Sequence, residues 1–164
     1  MNKQYPFVSI IIVNYRRKEL TKTCLDSVFA IDYPSEFYEV ILVDNCSQDG
    51  SVVLIDSLFK GRVRIIENQV NNYCQACNLG IAMSKGIYVV LLNNDVEVSR
   101  RWLTELVAVA ERDLAARSSQ PGRGPHPVVA NFARVRHEAI DGRRRRGHLP
   151  DHPRVSRRRI RPTP

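Results

Sequence analysis

The segment Val-Ser-Ile-Ile-Ile-Val at residues 8–13 decides the fold of this chain. It is a short run rich in β-branched residues, a pattern typical of a strand that is buried on both faces of a parallel sheet. Apolar residues at helical spacing follow it over residues 18–30. The sequence therefore opens with a strand that leads into a helix.

The same order of strand and helix recurs three more times along the chain. Strands are predicted at 40–43, 63–66 and 87–92, and helices at 51–59, 74–84 and 100–112. Asp49 or Ser51 is a suitable N-cap for the second helix, and Lys85-Gly86 is typical of the end of the third. Four alternations predict an α/β fold with a doubly wound, mainly parallel sheet and right-handed crossovers.

The positive charge of the chain is confined to its carboxyl-terminal part. The 164 residues include 25 Lys and Arg against 17 Asp and Glu, a net charge of +8. Residues 1–113 hold 12 basic and 14 acidic residues, net −2, whereas residues 114–164 hold 13 and 3, net +10. We therefore predict two parts: a mildly acidic α/β domain over 1–113, and a poorly structured, disordered Arg/Pro-rich tail over 114–164.

Two interpretations of this basic tail stay open. All 13 of its basic residues are Arg, and it has no helical periodicity. Such a composition is typical of G+C-rich DNA read out of frame, so a reading frame shifted near Leu114 is one hypothesis. The other is a genuine tail, for which we expect non-specific binding to polyanions such as nucleic acid.

Polar residues stand at the end of every predicted strand. The four strands are followed by Asn14-Tyr15, Asp44-Asn45, Glu67-Asn68 and Asn93-Asn94-Asp95. Doubly wound sheets bind ligands outside the carboxyl ends of their strands, although Asn and Asp also favour turns and helix caps for local reasons. Asp44 and Asp95 follow fully apolar strands and are the strongest candidates for contact with a ligand.

Two common nucleotide-binding motifs do not occur in this sequence. The first strand-to-helix turn lacks Gly-x-Gly-x-x-Gly, and there is no Gly-x-x-x-x-Gly-Lys-Ser/Thr. A nucleotide would therefore have to be held by side chains. Its diphosphate charge would then be met by a metal on Asp95, a hard oxygen ligand suited to Mg²⁺ or Mn²⁺.

Five segments carry a resemblance to a known family. They are VSIIIVNY (8–15), VDNCSQDGS (43–51), NYCQACNLGI (72–81), LLNNDVEV (91–98) and WLTELV (102–107). In order and spacing they resemble the family 2 glycosyltransferases of the GT-A fold, and most closely a rhamnosyltransferase-like bacterial branch that builds surface polysaccharides. The resemblance covers residues 6–113 and implies the amino-terminal, nucleotide-binding half of a GT-A fold.

This resemblance implies that a sugar is transferred from a nucleotide-diphosphate donor to a hydroxyl of a saccharide or lipid-linked acceptor, with inversion at the anomeric carbon. Asp44 resembles the carboxylate that contacts the donor base. Asn14 and Tyr15 match the segment that lines the base and ribose pocket. Asn93 to Asp95 resembles the branch's form of the Asp-x-Asp motif, with Asp95 as the ligand of the divalent cation.

Two further residues, Asn93 and Asn78, match positions of the family's motifs. Asn93 stands where many members of the family have an acidic residue, and because an amide lends no charge, we expect weaker metal dependence. Asn78 matches a characteristic helix asparagine, for which packing against the neighbouring loop is an equally good explanation.

The sequence does not identify a catalytic base. In the family that carboxylate and the acceptor pocket come from the half of the domain after the Asn-Asn-Asp strand, where this chain has its Arg/Pro-rich tail. Two alternatives therefore stand beside a transferase: a nucleotide-sugar-binding remnant without turnover and, from another class, an Arg-tailed nucleic-acid-binding protein.

The four cysteines bear on the cellular compartment. No secretory signal and no apolar run of roughly 20 residues occurs in the chain. We expect a protein of the cytoplasm or of the inner face of the membrane, with no transmembrane segment and with reduced thiols. Cys74-x-x-Cys77 permits a redox pair or half a zinc site, although Cys also replaces Ala or Ser at a helix start.

Overall fold

The structure, a computed structural model, describes residues 5–118 and 129–131. Its strands are β1 (Val8–Asn14), β2 (Tyr38–Asp44), β3 (Val63–Glu67), β4 (Tyr88–Asn93) and β5 (Val129–Asn131). Its helices are α1 (Lys18–Val28), α2 (Ser51–Phe59), α3 (Tyr73–Ala82) and α4 (Trp102–Ser118), and a short 3-10 helix at Ser35–Phe37 precedes β2. The predicted alternation of four strands and four helices is confirmed.

The strands form a single parallel sheet in the order β3-β2-β1-β4-β5. β1 lies in its interior, where Ile11 is paired with Ile41 of β2 on one side and with Leu91 of β4 on the other. The strand order reverses between β1 and β4, which is where doubly wound sheets bind ligands. The predicted α/β fold class is confirmed.

Helices cover both faces of the sheet, in unequal number. Successive side chains of a strand point to opposite faces. Ile10 and Ile12 pack in one cluster with residues of α1, α2 and α4, whereas Ile11 packs in a second cluster with α3. Residues 8–12 are fully buried, which explains why the strand is apolar on both faces. None of these helices, over the ranges that the structure describes, is long and apolar enough to cross a membrane.

Two glycines allow close contacts between elements. A Cβ at Gly80 would lie 2.5 Å from Ile11 Cγ2, so α3 packs directly onto β1. A Cβ at Gly86 would lie 2.4 Å from the backbone nitrogen of Ser9 and 2.5 Å from the carbonyl oxygen of Tyr88. The sequence pattern predicts Gly86 at the end of α3, but α3 ends at Ala82. Gly86 instead lets the chain pass beside β1 as it enters β4.

The carboxyl-terminal part of the domain differs from the prediction. α4 continues to Ser118, past the predicted boundary at residue 113, and β5 comes from the segment expected to be a poorly structured tail. β5 pairs with β4 through Val89↔Val129 and Leu91↔Asn131. The physical reason is that the edge of β4 offers unpaired backbone groups, which an extended segment satisfies. The other residues of the predicted tail, 119–128 and 132–164, lie outside the described residues.

Candidate functional site

A buried polar cluster lies at the carboxyl ends of β1 and β2. Asn14 and Asp44 end these two strands and are paired in register. They are 0% and 4% exposed. Asn14 Nδ2 donates to Asp44 Oδ1 over 2.7 Å and to Ser47 Oγ over 3.1 Å, and the backbone N–H of Ser47 donates to Asp44 Oδ2 over 3.0 Å. Both oxygens of the Asp44 carboxylate are therefore held in a fixed orientation.

The other side of the Asn14 amide faces α1 and the end of β4. Thr21 Oγ1 donates to Asn14 Oδ1 over 2.8 Å. Asn94 Nδ2 donates to the same oxygen over 3.3 Å and to Thr21 Oγ1 over 3.0 Å. Asn14, a predicted contact of the nucleotide sugar, thus uses both donors and both acceptor positions of its side chain on protein groups.

Thr21 is a member of this cluster that the sequence interpretation missed. It is fully buried in α1, on the same face as Cys24, Leu25 and Val28. The spacing of these positions is the signal that could have found it, because a hydroxyl on the apolar stripe of a helix needs a buried partner. The even-numbered side chains of β1 face α1, and Asn14 is one of them.

A second group of asparagines ties the end of β2 to the start of α3. Asn45 Oδ1 accepts from Asn68 Nδ2 over 2.9 Å and from the backbone N–H of Asn72 over 3.1 Å. Asn45 Nδ2 donates to Asn71 Oδ1 over 2.8 Å. Asn72 in turn caps α3 by accepting from the backbone N–H of Gln75. These hydrogen bonds within the loops are sufficient to explain why Asn occurs at these positions.

A cleft of about 300 Å³ opens beside Asp44, between the ends of β2 and β3 and the start of α2. Its polar lining includes Asp44, Ser47, Asp49, Ser51, Glu67 and Asn68. Three of these side chains are carboxylates, so the cleft has negative potential. It is suited to a ligand that presents hydrogen-bond donors, and it would repel a phosphate group.

The loop along this cleft is held in an unusual backbone conformation. Cys46 and Gln48 have φ values of 64° and 52°, and Gly50 has a φ of 80°. Side-chain-bearing residues rarely adopt this left-handed region. The N-cap of α2 is Gly50, without a side-chain cap hydrogen bond, so the N-cap predicted at Asp49 or Ser51 is wrong. Asp49 Oδ1 instead accepts from the backbone N–H of Ser51 over 3.0 Å and from its hydroxyl, within the turn that precedes the helix. Burial opposes ionisation of Asp49, but these hydrogen bonds outweigh it and lower the pKa of the carboxyl.

Tyr15 and Arg16 lie just beyond β1, outside the buried cluster. The Tyr15 side chain is 38% exposed. The Arg16 guanidinium carbon lies 5.2 Å from the centre of the Tyr15 ring, within the range of a cation–π contact. The backbone N–H of Arg16 donates to Ser47 Oγ over 3.0 Å, and its Nε donates to the carbonyl oxygen of Ser47 over 3.3 Å. An aromatic surface therefore stands beside the loop that holds Asp44.

The residues Asn93, Asn94 and Asp95 differ in orientation. Asn93 ends β4 and is half-buried, and its carbonyl oxygen accepts from Cys24 Sγ over 3.6 Å. Asn94 points into the buried cluster, whereas Asp95 is exposed. No group of three or more His, Cys, Asp or Glu residues that could hold a metal occurs in the ranges described. A cation at Asp95 would take its other ligands from phosphate oxygens and water, an arrangement that Mg²⁺ favours.

Asn78 is not part of this cluster. It is exposed on α3 and lines a separate cavity of about 420 Å³ with Asn72, Cys74 and Gln75. The structure therefore brings together Asn14, Asp44 and the Asn94 amide. It places Tyr15 and Asp95 on the surface and Asn78 in another cavity.

The cysteines of the Cys-x-x-Cys segment do not form a disulfide. All four cysteines are free, with Cys74 exposed and Cys77 buried. Burial raises the pKa of the Cys77 thiol, and burial raises that of Cys24 to about 12. Because the thiolate is the reactive and metal-binding form, a raised pKa disfavours both a redox and a zinc function for Cys77.

Comparisons with known proteins identify the relatives of this chain. The family model Glycosyl transferase family 2 matches residues 9–155. Glycosyltransferase AglE of Haloferax volcanii is 34% identical over 106 residues, which are 63% of this chain and 35% of AglE. The poly(ribitol-phosphate) beta-glucosyltransferase of Bacillus spizizenii is 34% identical over 92 residues, which are 54% of this chain and 14% of that protein.

One solved structure with the same fold is the mannosyltransferase PcManGT of Pyrobaculum calidifontis, in complex with GDP-Man and Mn²⁺. It aligns with a TM-score of 0.61 and 24% identity, over 64% of this chain and 32% of its own. The chain thus spans about a third or less of the length of these three proteins. The family-model match itself continues past residue 113, through most of the predicted tail.

Proposed function

This chain belongs to glycosyltransferase family 2, and we propose that it binds a nucleotide-diphosphate sugar and transfers the sugar to an acceptor hydroxyl with inversion at the anomeric carbon. The observation that carries the proposal is Asp44. Its carboxylate is buried at the carboxyl end of β2, has both oxygens oriented by hydrogen bonds, and borders a cleft. A fixed, desolvated carboxylate is suited to recognise a donor N–H of a nucleobase.

The charge of the cleft supports a particular orientation of the donor. Asp44, Asp49 and Glu67 repel phosphate but accept hydrogen bonds from a base and a ribose. The base and ribose are therefore assigned to the cleft, and the diphosphate to the side nearer the end of β4. The exposed ring of Tyr15 offers a surface on which the base or ribose can pack.

We assign a divalent cation, Mg²⁺ or Mn²⁺, to Asp95. The exposed carboxylate fits a cation that takes its remaining ligands from the diphosphate and water. Such a cation would neutralise charge on the leaving diphosphate. The presence of Mn²⁺ with GDP-Man in PcManGT, which shares this fold, supports the assignment. Because Asn93 lends no charge, the chain has one acidic ligand here, and we expect the metal dependence to be weak.

The acceptor is proposed to be a saccharide or a lipid-linked sugar of a cell-surface polysaccharide. Support comes from the resemblance to polysaccharide-building glycosyltransferases and from the relative named for glucosylation of poly(ribitol-phosphate). The general base that deprotonates the acceptor hydroxyl is proposed to lie after residue 113, as in the family.

Calorimetric titration tests donor binding. The full chain is titrated with UDP, dTDP, CDP and GDP, each with and without Mn²⁺. We expect Asp44→Ala to weaken the preferred nucleotide by about tenfold or more in both conditions, since a hydrogen bond to a charged group is worth about 1.5–3 kcal/mol. Asp95→Ala should abolish only the gain in affinity that Mn²⁺ brings.

Asp56→Ala is the matched control, because Asp56 is an exposed carboxylate on α2. Its affinities should equal those of the wild type. The proposal fails if the wild type binds none of the four nucleotides. The metal assignment fails if Asp95→Ala keeps the full effect of Mn²⁺.

Donor binding without transfer is the second candidate function. It is favoured because every site residue proposed above contacts the donor or its cation, and none is assigned to the acceptor or to its deprotonation. A hydrolysis assay distinguishes the transferase from the binding module: the preferred nucleotide sugar is incubated with the chain, and the release of nucleoside diphosphate is measured. Binding combined with no hydrolysis and no transfer to an acceptor would identify a binding module.

A further inference from the structure

Thr21 stands between the two loops that carry the proposed donor contacts. Its hydroxyl donates to Asn14 Oδ1 over 2.8 Å and accepts from Asn94 Nδ2 over 3.0 Å. Asn14 is the residue that holds Asp44, and Asn94 is the neighbour of Asp95. Thr21 and Asn14 are both fully buried, so water does not compete for these hydrogen bonds.

The hydroxyl of Thr21 and the Asp44 carboxylate together fix which way the Asn14 amide faces. It has a single proton, which it gives to Asn14 Oδ1 while its lone pair accepts from Asn94. With its oxygen fixed on this side, Asn14 presents Nδ2 to Asp44 over 2.7 Å. The reverse orientation would place an amide oxygen against a carboxylate oxygen, which is repulsive. Thr21 therefore acts on Asp44 through Asn14.

The same hydroxyl also holds the segment that follows β4. The Asn94 side chain is anchored at Thr21 Oγ1 and Asn14 Oδ1. This anchor fixes the backbone from which Asp95 projects outward. A single buried group in α1 thus touches both arms of the proposed site, the one at the end of β2 and the one at the end of β4.

We propose that Thr21 is a positioning residue that sets the orientation of Asp44 through Asn14 and anchors the Asp95 segment through Asn94. The inference rests on the proposed donor binding. It predicts that loss of the Thr21 hydroxyl lowers nucleotide affinity and blurs the distinction between bases, although Thr21 itself contacts no ligand.

The test uses the full chain and the four nucleoside diphosphates, with and without Mn²⁺. Thr21→Val replaces the hydroxyl by a methyl group of similar size, and Thr21→Ser keeps the hydroxyl. We expect Thr21→Val to weaken the preferred nucleotide by about tenfold and to bring its affinity closer to that of the others. Thr21→Ser should stay within about twofold of the wild type.

Two controls separate positioning from a loss of stability. Thr23→Val changes an exposed threonine of the same helix, whose hydroxyl bonds only the carbonyl of Glu19 among the described contacts, and should leave binding unchanged. In the Asp44→Asn background, Thr21→Val should have no further effect on base preference, because its route to the base runs through Asp44. If Thr21→Val only weakened the fold, it would lower the affinity for all four nucleotides by the same factor, and it would do so in the Asp44→Asn background as well.

The outcomes distinguish this inference from the proposed function. If the wild type binds no nucleotide, the donor-binding proposal and this inference both fail. If the wild type binds but Thr21→Val keeps its affinity and base preference, the inference alone is wrong. Should Thr21→Val fail to fold, Asn94→Ala removes the half-buried partner of Thr21 and must reduce the effect of Mn²⁺; an unchanged effect overturns the inference.

Discussion

Gly86 is a position at which the lack of a side chain determines stability. A Cβ there would meet the backbone nitrogen of Ser9 and the carbonyl oxygen of Tyr88 at 2.4 and 2.5 Å. Because both contacts are backbone atoms of adjacent paired strands, neither can move without disturbing the sheet. We expect Gly86→Ala to lower the free energy of unfolding by about 1–3 kcal/mol, measured by urea denaturation.

Lys85→Ala is the control for this substitution. Lys85 is exposed. Its hydrogen bonds to Ser9 Oγ and Glu39 Oε1 come from its backbone N–H, which Lys85→Ala retains. Its replacement should change stability by less than about 0.5 kcal/mol. A Gly86→Ala protein as stable as Lys85→Ala would show that the entry to β4 can shift to make room.

The thiol of Cys24 couples stability to alkaline pH. Burial raises its pKa to about 12, so the folded chain keeps this proton at a pH where the unfolded chain has lost it. The stabilisation is complete below the ordinary thiol pKa and is lost as the pH rises toward 12. Between pH 8 and 11, the free energy of unfolding should therefore fall more steeply in the wild type than in Cys24→Ala.

Tyr33 and Tyr88 contribute to the same alkaline loss of stability. Burial raises the pKa of each to about 12. Since both tyrosines are present in the wild type and in Cys24→Ala, the difference between the two pH profiles isolates the thiol. Parallel profiles would mean that Cys24 ionises as easily in the folded chain as in the unfolded one.

The sequence shows that a polar side chain stands at each strand end, but it predicts only in part which of these side chains face a ligand and which bond other protein groups. Asp44 follows an apolar strand, and the structure gives it the buried, oriented carboxylate that a contact residue needs. Asn14 and Asn94 have the same residue type as Asn93, yet their amides are engaged within the protein. The choice depends on what α1 presents to them, and a contact between distant parts of the chain is invisible in local pattern.

The four main strands could be predicted from their apolar residues, although β3 lies at the edge of the sheet and contains the exposed Arg64. β1, β2 and β4 each contain a nearly continuous apolar run. Such runs have one stable environment, the interior of a sheet covered on both faces. β5 is different, since it has three residues and lies in an Arg-rich segment without periodicity. It is a strand because it pairs with the edge of β4, and an edge is a property of the assembled sheet.

The extension of α4 follows the same logic. Apolar spacing indicates a helix as far as residue 112, and the helix runs to Ser118. Leu114 packs against the core cluster at helical spacing from Val107 and Ala110, so the apolar stripe extends one turn past the predicted end. Ala115 and Ala116, which have high helix propensity, follow it.

The whole molecule combines two parts of opposite charge. Residues 1–113 carry a net charge of −2 and residues 114–164 one of +10. We expect the full chain to bind a labelled single-stranded oligonucleotide at 50 mM salt, with a steep loss of affinity at 200 mM. A chain that ends at Ser118 should show no binding in the same fluorescence anisotropy assay, because it keeps only one of the 13 arginines after residue 113.

Circular dichroism of the shortened chain controls for its folding. If the shortened chain is folded and still binds the oligonucleotide, the affinity belongs to the α/β domain and the nucleic-acid alternative gains support. If binding disappears, the polyanion affinity is a property of the arginines alone and is independent of the proposed donor site.

The position of β1 within the sheet has a consequence for how the protein is made. Among the described strands β1 is synthesised before the others, and its neighbours β2 and β4 end at Asp44 and Asn93, about 30 and 80 residues later. Until β4 has emerged, one edge of β1, whose residues 8–12 are fully buried in the folded protein, lacks the strand that pairs with it. During this stage of synthesis the strand that will occupy the interior of the sheet is exposed and prone to aggregation, and a chaperone that binds it would have its largest effect then.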